Sequence, residues 1–335
     1  MGLLEGKRAL IFGLANDHSI AWGIAQALHR EGATVGFASV ESLLEKRVKP
    51  LAAKLDSPFV EACDVQSDED IERVFAAWKD RFGGLDILVH AVAFANKDDL
   101  KGEFIGVSRD GFALAHDVSA YSLVALAREA RPLMSEGGAI LTLSYYGAEK
   151  AVVNYNIMGV AKASLEACVR YLAVDLGKDG IRVNAISAGP VRTLSASGVS
   201  GFKKMHRLFE QISPMRRPLS IDDLGNSAVY LCSEMCIRDS VHAVAFANKD
   251  DLKGEFMNVS REGFLLAHDV SAYSLVALAR EARPLMSDGG TILTLSYYGA
   301  EKAVVNYNIM GVAKASLEAC VRYLAVDLGK EGIRV

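Results

Sequence analysis

The chain has 335 residues, of which 51% are apolar, and a formal net charge of −4. This length allows a large core, and the charge gives no reason to expect nucleic acid or an anionic membrane as a partner. No apolar run is long enough for a membrane span, the N-terminus has no signal-peptide pattern, and the five cysteines lack metal-ligand spacing. We therefore expect a cytoplasmic protein without a metal site.

Short apolar segments alternate with amphipathic ones along most of the chain. The predicted strands cover 8–13, 33–38, 59–63, 85–92, 139–143 and 181–186. The predicted helices cover 20–30, 41–55, 67–81, 109–134 and 154–176, with further helical segments near 202–212 and 221–232. Such alternation is typical of a parallel sheet with right-handed crossovers. The predicted fold is a three-layer α/β/α, Rossmann-type doubly wound parallel sheet, and a final strand expected after Cys232 is missing.

The turn between the first strand and the first helix has the physical features of a phosphate site. Gly13 permits a tight turn, and the helix that begins near Ser19 and Ile20 presents its amide groups to a pyrophosphate. The segment departs from the usual G-x-G-x-x-G pattern, so its glycine spacing alone is a weak signal. Gly23 is better explained by packing of the helix against the sheet.

The ends of the second and third strands bear on the choice of nucleotide. Residues 37–40 contain no acidic side chain for two ribose hydroxyls and no basic one for a 2′-phosphate, which favours NADH over NADPH. Asp64 and Val65, at the end of the third strand, stand where an adenine contact is expected, with a plain turn as the alternative.

A tyrosine and a lysine follow the fifth strand at an unusual spacing. The general short-chain dehydrogenase pattern is Tyr-x3-Lys, whereas here Tyr155 and Lys162 are separated by six residues. Seven residues also return to the same helix face, but with a rise of about 10 Å instead of about 6 Å. The longer separation suits hydride delivery to the β-carbon of an enoyl thioester, because that carbon lies two bonds from the carbon that bears the polarised oxygen.

The sequence resembles the bacterial NADH-dependent enoyl-acyl-carrier-protein reductases, a short-chain dehydrogenase/reductase family, over residues 1–233. The motifs that carry this resemblance are Gly13-x5-Ser19-Ile20, Cys63-Asp64-Val65, Ala115-His116-Asp117, Leu141-Thr-Leu-Ser-Tyr145, Tyr155-x6-Lys162, the run from Val183 to Thr193, and Asp223-x-Gly-Asn-Ser227. The resemblance implies NADH-dependent reduction of the double bond of trans-2-enoyl-acyl-carrier-protein thioesters in fatty-acid synthesis. It also implies a homotetramer.

The resemblance assigns roles to individual residues. It implies that Tyr155 hydrogen-bonds the thioester oxygen, that Lys162 holds the nicotinamide ribose, and that Tyr145 lines the pocket or acts as a second donor. The cofactor contacts implied are Gly13, Ser19, Ile20, Asp64, Val65, Val92, Lys162 and Thr193. The substrate contacts implied are Ala95, Tyr145, Tyr155, Leu194, Ala196, Phe202 and Met205. Lys203 and Lys204 match positions expected to meet the acidic carrier protein, with a solvated face as the alternative.

The C-terminal part of the chain repeats an internal segment. Residues 89–183 recur as 241–335 with seven differences, and both ends of the repeat fall inside predicted strands. Domain boundaries fall in exposed linkers rather than inside strands. We therefore divide the chain into a reductase domain at 1–234 that is truncated at its C-terminus, a junction at 235–240, and a partial repeat at 241–335.

The junction explains the repeat better than duplication of a domain does. Its sequence, Met-Cys-Ile-Arg-Asp-Ser, resembles the translation of an adapter used in transposase-based sequencing. We hypothesise that reads from two closely related genes were joined here, with a genuine tandem duplication as the alternative. The repeat carries a second copy of the catalytic set, at Tyr297, Tyr307 and Lys314, but no Gly-rich turn. We expect no activity from it.

Two other functions remain open at this point. The chain could be another short-chain NAD(P)-dependent reductase that acts on ketoacyl thioesters, against which the Tyr-x6-Lys spacing argues. It could also be an inactive chimeric product, which the missing final strand favours.

Overall fold

The computed structural model describes residues 2–193, 206–207, 209–211, 213, 216–233, 241–287 and 289–335. These residues fall into two compact units, the first within 1–207 and 218–235 and the second within 208–217 and 236–335. No helix in the described ranges is long and apolar enough to cross a membrane. The same ranges contain no cluster of three or more side chains suited to holding a metal ion.

The first unit is organised around a six-stranded parallel sheet. The strands are β1 (Arg8–Phe12), β2 (Thr34–Ser39), β3 (Val60–Ala62), β4 (Ile87–His90), β5 (Gly138–Tyr145) and β6 (Ile181–Ala188). Their order in the sheet is β3-β2-β1-β4-β5-β6. The chain adds β2 and β3 on one side of β1 and then returns to add β4, β5 and β6 on the other side. This confirms the predicted Rossmann-type sheet. Among the described residues, no further strand pairs with β6.

Helices cover both faces of this sheet. They are α1 (Ile20–Arg30), α2 (Glu41–Leu43), α3 (Lys49–Ala53), α4 (Asp68–Phe82), α5 (Arg109–His116), α6 (Ser122–Ala130), α7 (Asn156–Gly177) and α8 (Ile221–Cys232). Successive side chains of a strand point to opposite faces, so Ile11 packs with α1 and α8 while Leu10 packs with α4, α6 and α7. The two separate cores confirm the three-layer arrangement.

Two of the predicted helices are regular only in part. The segment predicted as one helix from 109 to 134 contains a π-helical turn at Asp117–Tyr121, and that predicted from 41 to 55 contains one at Leu44–Val48. In the first of these turns, the Ser119 hydroxyl accepts a hydrogen bond from the Phe94 amide at 3.0 Å. Hydrophobic periodicity does not reveal such a turn, because contacts with a loop that is distant in the sequence determine where its side chains lie.

The pattern Ser67-x-x-Asp70 is typical of a capping box, and the N-terminus of α4 forms half of one. The Ser67 hydroxyl accepts a hydrogen bond from the Asp70 amide at 3.1 Å, as expected for an N-cap. The Asp70 carboxylate, however, accepts from the Asp64 amide at 2.9 Å instead of from the Ser67 amide. This carboxylate therefore ties the turn after β3 to the start of α4.

The second unit contains the repeated segment in a reduced form. Its helices are α9 (Arg261–His268), α10 (Ser274–Ala282) and α11 (Asn308–Leu328), and its strands are β7 (Val241–His242), β8 (Gly290–Thr291), β9 (Leu293–Thr294) and β10 (Ile333–Arg334). These strands form two separate two-stranded sheets. The repeat carries no counterpart of β1, so the strand that corresponds to β4 loses one neighbour. It has two residues, and the counterpart of β5 is divided into two pieces of two residues each.

Helices α1 and α8 cross at a pair of glycines. A Cβ at Gly23 would lie 2.3 Å from the Ile221 carbonyl oxygen, and one at Gly225 would lie 2.5 Å from the Gly23 carbonyl oxygen. Gly23 therefore serves helix packing, but its partner is α8. The expectation that it packs against the sheet is wrong, because the sequence does not show which helices lie side by side.

We predict that Gly23→Ala lowers the stability of the first unit by about 1–3 kcal/mol, since an inserted methyl group must push the two helices apart. The change is measured as a lower midpoint of chemical unfolding. Gly106→Ala is the matched control, because a Cβ there meets no atom within 4 Å. Equal loss in both variants would show that the close crossing is not the cause.

Candidate active site

Gly13 shapes the turn that follows β1. Its φ of +94° lies in the left-handed region, and a Cβ at this position would stand 2.4 Å from the Ala91 carbonyl oxygen and 3.1 Å from Val92 Cγ2. Only glycine fits this backbone geometry together with so close an approach to the chain after β4. The structure thus brings Gly13 and Val92, two of the predicted cofactor contacts, side by side.

The N-terminus of α1 lies at the same edge of the sheet. Ser19 is the N-cap residue, but its hydroxyl donates to the Asn16 carbonyl oxygen and makes no capping hydrogen bond to the helix. The Trp22 amide donates to the Ser19 carbonyl oxygen, and the amide groups of Ile20 and Ala21 keep their capacity to bind an anion. This placement suits the role predicted for Ser19 and Ile20.

An open cleft lies beyond the ends of β2 and β3. Its lining residues are Val40, Glu41, Ser42, Ala62, Cys63, Asp64, Asp70 and Arg73. Asp64 lines this cleft and also accepts a hydrogen bond from the Gln66 amide at 3.1 Å, which forms the turn given above as the alternative. Its contact with adenine stays a prediction. Val65 packs against the core beside α4 and is not part of the lining.

The charges in this cleft are predominantly acidic. Arg73 lies 2.7 Å from Asp70 and 3.8 Å from Glu61, and it also donates to the Ala62 carbonyl oxygen. Its hydrogen bond to the guanidinium lowers the pKa of Asp70. Burial raises the pKa of the Cys63 thiol to about 12, so the thiol is protonated near pH 7.

Two tyrosines meet where β5 ends and α7 begins. Tyr145 is the last residue of β5 and Tyr155 directly precedes α7, with ring centroids 4.9 Å apart at an angle of 60°. Asn154 has a φ of +61°, a conformation that asparagine tolerates better than most residues, and it turns the chain into the helix. A Cβ at Gly147 would lie 2.5 Å from Tyr155 Cδ1, so the absence of a side chain there makes room for the phenol ring.

Burial determines the protonation of both phenols. It raises the pKa of Tyr145, and it raises the pKa of Tyr155 with a further contribution from the neighbouring Tyr145. Both groups are therefore neutral near pH 7 and can donate hydrogen bonds. The prediction that Tyr155 and Lys162 share one helix face needs correction, because Tyr155 is the N-cap residue and only Lys162 lies within α7.

Lys162 points into the unit beside the end of β5. Its side chain is buried, and its ammonium group donates to the Leu143 carbonyl oxygen at 2.7 Å. Burial lowers the pKa of Lys162 to about 8, while the charge of Glu166 opposes this shift. The ammonium group has three donors, so a ligand can accept the hydrogen bonds that Leu143 does not.

His90 joins three elements beneath the site. Its Nδ1 lies 2.7 Å from Thr142 Oγ1 and its Nε2 lies 2.8 Å from Ser122 Oγ, while the Ser122 hydroxyl donates to the Val118 carbonyl oxygen. Burial lowers the pKa of His90 to about 3, so the ring is neutral. We infer that Nε2–H donates to Ser122 and that Nδ1 accepts from Thr142. His90 therefore fixes the end of β4 rather than binding a metal.

The predicted substrate residues are placed only in part. Ala95 packs beside Ala115, Ile157 and Ala161, next to the start of α7. Thr193, which is a predicted cofactor contact, is half-buried in the segment after β6. The remaining predicted positions, Leu194, Ala196, Phe202 and Met205, lie outside the described residues, as do Lys203 and Lys204.

The sequence did not identify four residues that hold Tyr155 or surround Lys162. Gly147 and Asn154 set the ring of Tyr155, and the Ser144 hydroxyl donates to the Glu166 carboxylate beside Lys162. The spacing of Glu166, four residues after Lys162, was the one available signal, since such residues lie on the same helix face.

Comparisons with known proteins agree with this geometry. A family profile described as enoyl-(acyl carrier protein) reductase matches residues 13–236 and again 239–335. The NADH-dependent enoyl-[acyl-carrier-protein] reductase of Aquifex aeolicus is 53% identical over 235 residues, which cover 70% of this chain and 87% of the relative.

Two solved structures show the same fold. The Bacillus cereus enoyl-acyl carrier protein reductase, solved with NADP+ and an indole naphthyridinone, has a TM-score of 0.69 at 52% identity and covers 70% of this chain and 92% of its own. The Anaplasma phagocytophilum enzyme, solved with NAD, has a TM-score of 0.67 at 50% identity, with 70% and 89% covered. The chain belongs to the enoyl-(acyl-carrier-protein) reductase family.

Proposed function

We propose that the first unit reduces the carbon–carbon double bond of trans-2-enoyl thioesters carried by acyl-carrier protein, with NADH as the reductant. The observation that carries this proposal is the placement of Tyr155 against Tyr145, with the buried Lys162 two helical turns further on. This group lies at the carboxyl edge of the sheet, where Gly13 and the N-terminus of α1 also lie. Ligands of doubly wound folds bind at this edge.

The residues present fit a dinucleotide. Gly13 permits the tight turn after β1 beside Ala91, which a Cβ would prevent, and the first turn of α1 offers amide donors to a pyrophosphate. Lys162 has donors to spare for ribose hydroxyls. When bound, NADH supplies the hydride.

Tyr155 stabilises the charge that develops on the substrate. Negative charge grows on the thioester oxygen as the β-carbon is reduced, and a fixed neutral phenol there donates a hydrogen bond to it. Burial keeps this phenol protonated, because it raises its pKa. Tyr145 confines the ring of Tyr155 from the side of β5 and forms part of the substrate pocket.

The acidic cleft favours NADH over NADPH. Glu41, Asp64 and Asp70 line it, and the guanidinium of Arg73 is engaged by Asp70 and the Ala62 carbonyl oxygen. A 2′-phosphate placed there would meet carboxylates and no unengaged cation. The NADH named for the family's enzymes agrees with this charge pattern.

The second unit is proposed to be inactive. Tyr297 and Tyr307 repeat the ring pair at 4.8 Å, and Lys314 donates to the Leu295 carbonyl oxygen at 2.7 Å. The repeat begins after the counterpart of the Gly13 turn, so it has no phosphate site of its own. We retain the division into a catalytic domain at 1–234, a junction at 235–240 and a partial copy at 241–335.

The partners and compartment follow from the proposed reaction. We propose acyl-carrier protein as the partner that presents the enoyl chain, with Lys203 and Lys204 as its docking residues, and we expect no nucleic-acid partner. A homotetramer in the cytoplasm is the expected state of the enzyme.

Reduction of a ketoacyl thioester is the competing activity. In that reaction the carbon that accepts the hydride also bears the polarised oxygen, so the phenol must lie close to the lysine that holds the cofactor. Tyr155 instead precedes the first residue of α7, seven residues before Lys162. We predict that the chain oxidises NADH with a crotonyl thioester and not with an acetoacetyl thioester, and that NADPH is the poorer cofactor. The loss of nicotinamide absorbance measures the rate with each thioester and with each cofactor. A preference for the acetoacetyl thioester would reverse the assignment.

We predict that Tyr155→Phe lowers kcat/KM for an enoyl thioester by about 100- to 1,000-fold, since one donor to the developing oxyanion is lost. NADH should still raise the melting temperature of this variant, because a ligand that binds only the folded state stabilises it. Tyr307→Phe, the same change in the second unit, should leave turnover intact. Undiminished turnover in Tyr155→Phe would exclude the proposed mechanism, and a loss in Tyr307→Phe would exclude an inactive second unit.

The junction hypothesis predicts that no continuous gene encodes residues 233–241. Long-read sequencing of the source DNA across this position tests it directly. An uninterrupted reading frame there would establish a tandem duplication instead.

A further inference from the structure

Lys162 is a buried cation that makes no ion pair. Among the described residues, its ammonium group donates only to the Leu143 carbonyl oxygen, at 2.7 Å. No carboxylate of the described residues comes within 4.0 Å of it. A buried ammonium loses its proton readily unless a negative charge compensates for the lost hydration. The charge that opposes this loss is that of Glu166, one helical turn further along α7.

Glu166 is held away from the ammonium group by Ser144. The Ser144 hydroxyl donates to the Glu166 carboxylate. Ser144 is buried and stands between Leu143 and Tyr145 in the sequence of β5. Without this hydrogen bond the carboxylate could turn towards Lys162, since residues four apart on a helix lie within reach of each other. A direct ion pair would occupy the N–H groups that a ribose needs.

We propose that Glu166, anchored by Ser144, is a positioning residue for Lys162: it keeps the buried ammonium protonated while leaving its N–H groups directed at the cofactor. The part that concerns the cofactor rests on the proposed function. Neither Ser144 nor Glu166 needs to touch substrate or cofactor in this arrangement.

The other titratable groups around Lys162 do not replace Glu166. His90, from β4, is neutral because burial lowers its pKa to about 3. Tyr145 and Tyr155 are neutral because burial raises the pKa of each. The charged groups on other elements packed against α7 are Arg109, Asp110, Asp117, Arg128, Glu129 and Arg182, and none of them shifts the pKa of Lys162. Asp117 accepts from the Gln66 side chain, and Arg182 donates to the carbonyl oxygens of Leu231 and Ser233.

The second unit provides an internal comparison. The Ser296 hydroxyl donates to Glu318, and Lys314 donates to Leu295 as in the first unit. Ser296 is exposed there, however, and burial alone shifts the pKa of Lys314. The same hydrogen bonds thus occur in a more solvated setting, where the influence of the carboxylate is screened.

The test follows the titration of Lys162 in the cofactor-free, full-length chain. NMR of protein labelled with 13C at the lysine ε-carbon reports the pH midpoint, and the Lys162 signal is assigned by its loss in Lys162→Arg. In Glu166→Gln the midpoint should fall by about one pH unit, the size of effect expected from removing one nearby opposite charge. In Ser144→Ala it should rise, because the released carboxylate can reach the ammonium group.

NADH affinity, measured by fluorescence at several pH values, gives the second readout. An ammonium is charged below its pKa, so Glu166→Gln should bind NADH almost normally at low pH and lose affinity at a lower pH than the parent does. Ser144→Ala should bind NADH more weakly at every pH, because the ion pair occupies the donors. Glu318→Gln is the matched control and should change neither the Lys162 midpoint nor NADH binding.

Two results would overturn the proposal. One is an unchanged Lys162 midpoint in Glu166→Gln, and the other is a Ser144→Ala midpoint that falls together with that of Glu166→Gln. The NMR titration requires neither NADH nor substrate. A chain that fails to reduce enoyl thioesters would therefore refute the proposed function without deciding the role of Glu166.

Discussion

The desolvated ammonium of Lys162 is the interaction on which the site depends. Transfer of such a group out of water costs several kcal/mol unless hydrogen bonds and opposite charge compensate for it. The Leu143 carbonyl oxygen provides the hydrogen bond, and it is available because the pairing of β5 with β4 ends one residue earlier, at Thr142. The eight-residue pairing of β5 with β6 fixes the position of this part of the strand. The end of one strand pair thus sets the position of the buried ammonium group.

Strand order brings the rest of the site to the same place. Because β1, β4 and β5 are neighbours, the segments that follow them leave the sheet side by side. Gly13 therefore meets Ala91 and Val92 from the chain after β4, and Tyr145 ends the next strand along. The buried ring of His90 holds two of these strands together through Thr142. A cofactor site and a phenol pair arise at one edge although their residues are far apart in the sequence.

The sequence predicts what is encoded locally. The bounds of α1 and α8 agree with the prediction, since apolar periodicity and turn residues mark them directly. The Tyr–Lys spacing and the glycine turn likewise pick out, from a few neighbouring residues, side chains that the fold brings to the carboxyl edge of the sheet. The partner of Gly23, the π-helical turn that carries Ser119 and the anchoring of Glu166 depend on contacts between distant segments. No local pattern records these contacts, so the sequence interpretation missed them.

The repeated segment separates local from tertiary effects within one chain. Tyr145 and Tyr155 have nearly the same ring separation as their counterparts in the second unit, 4.9 Å against 4.8 Å, and both lysines lie 2.7 Å from a carbonyl oxygen. The strand that ends at Tyr145 has eight residues in the first unit, whereas its counterpart is reduced to two-residue pieces. Local sequence therefore sets the distances between the two rings and from each lysine to its carbonyl oxygen, while the covering layers supply the burial that changes the electrostatics of these groups. A copy of the residues without those layers reproduces the distances in a more exposed environment.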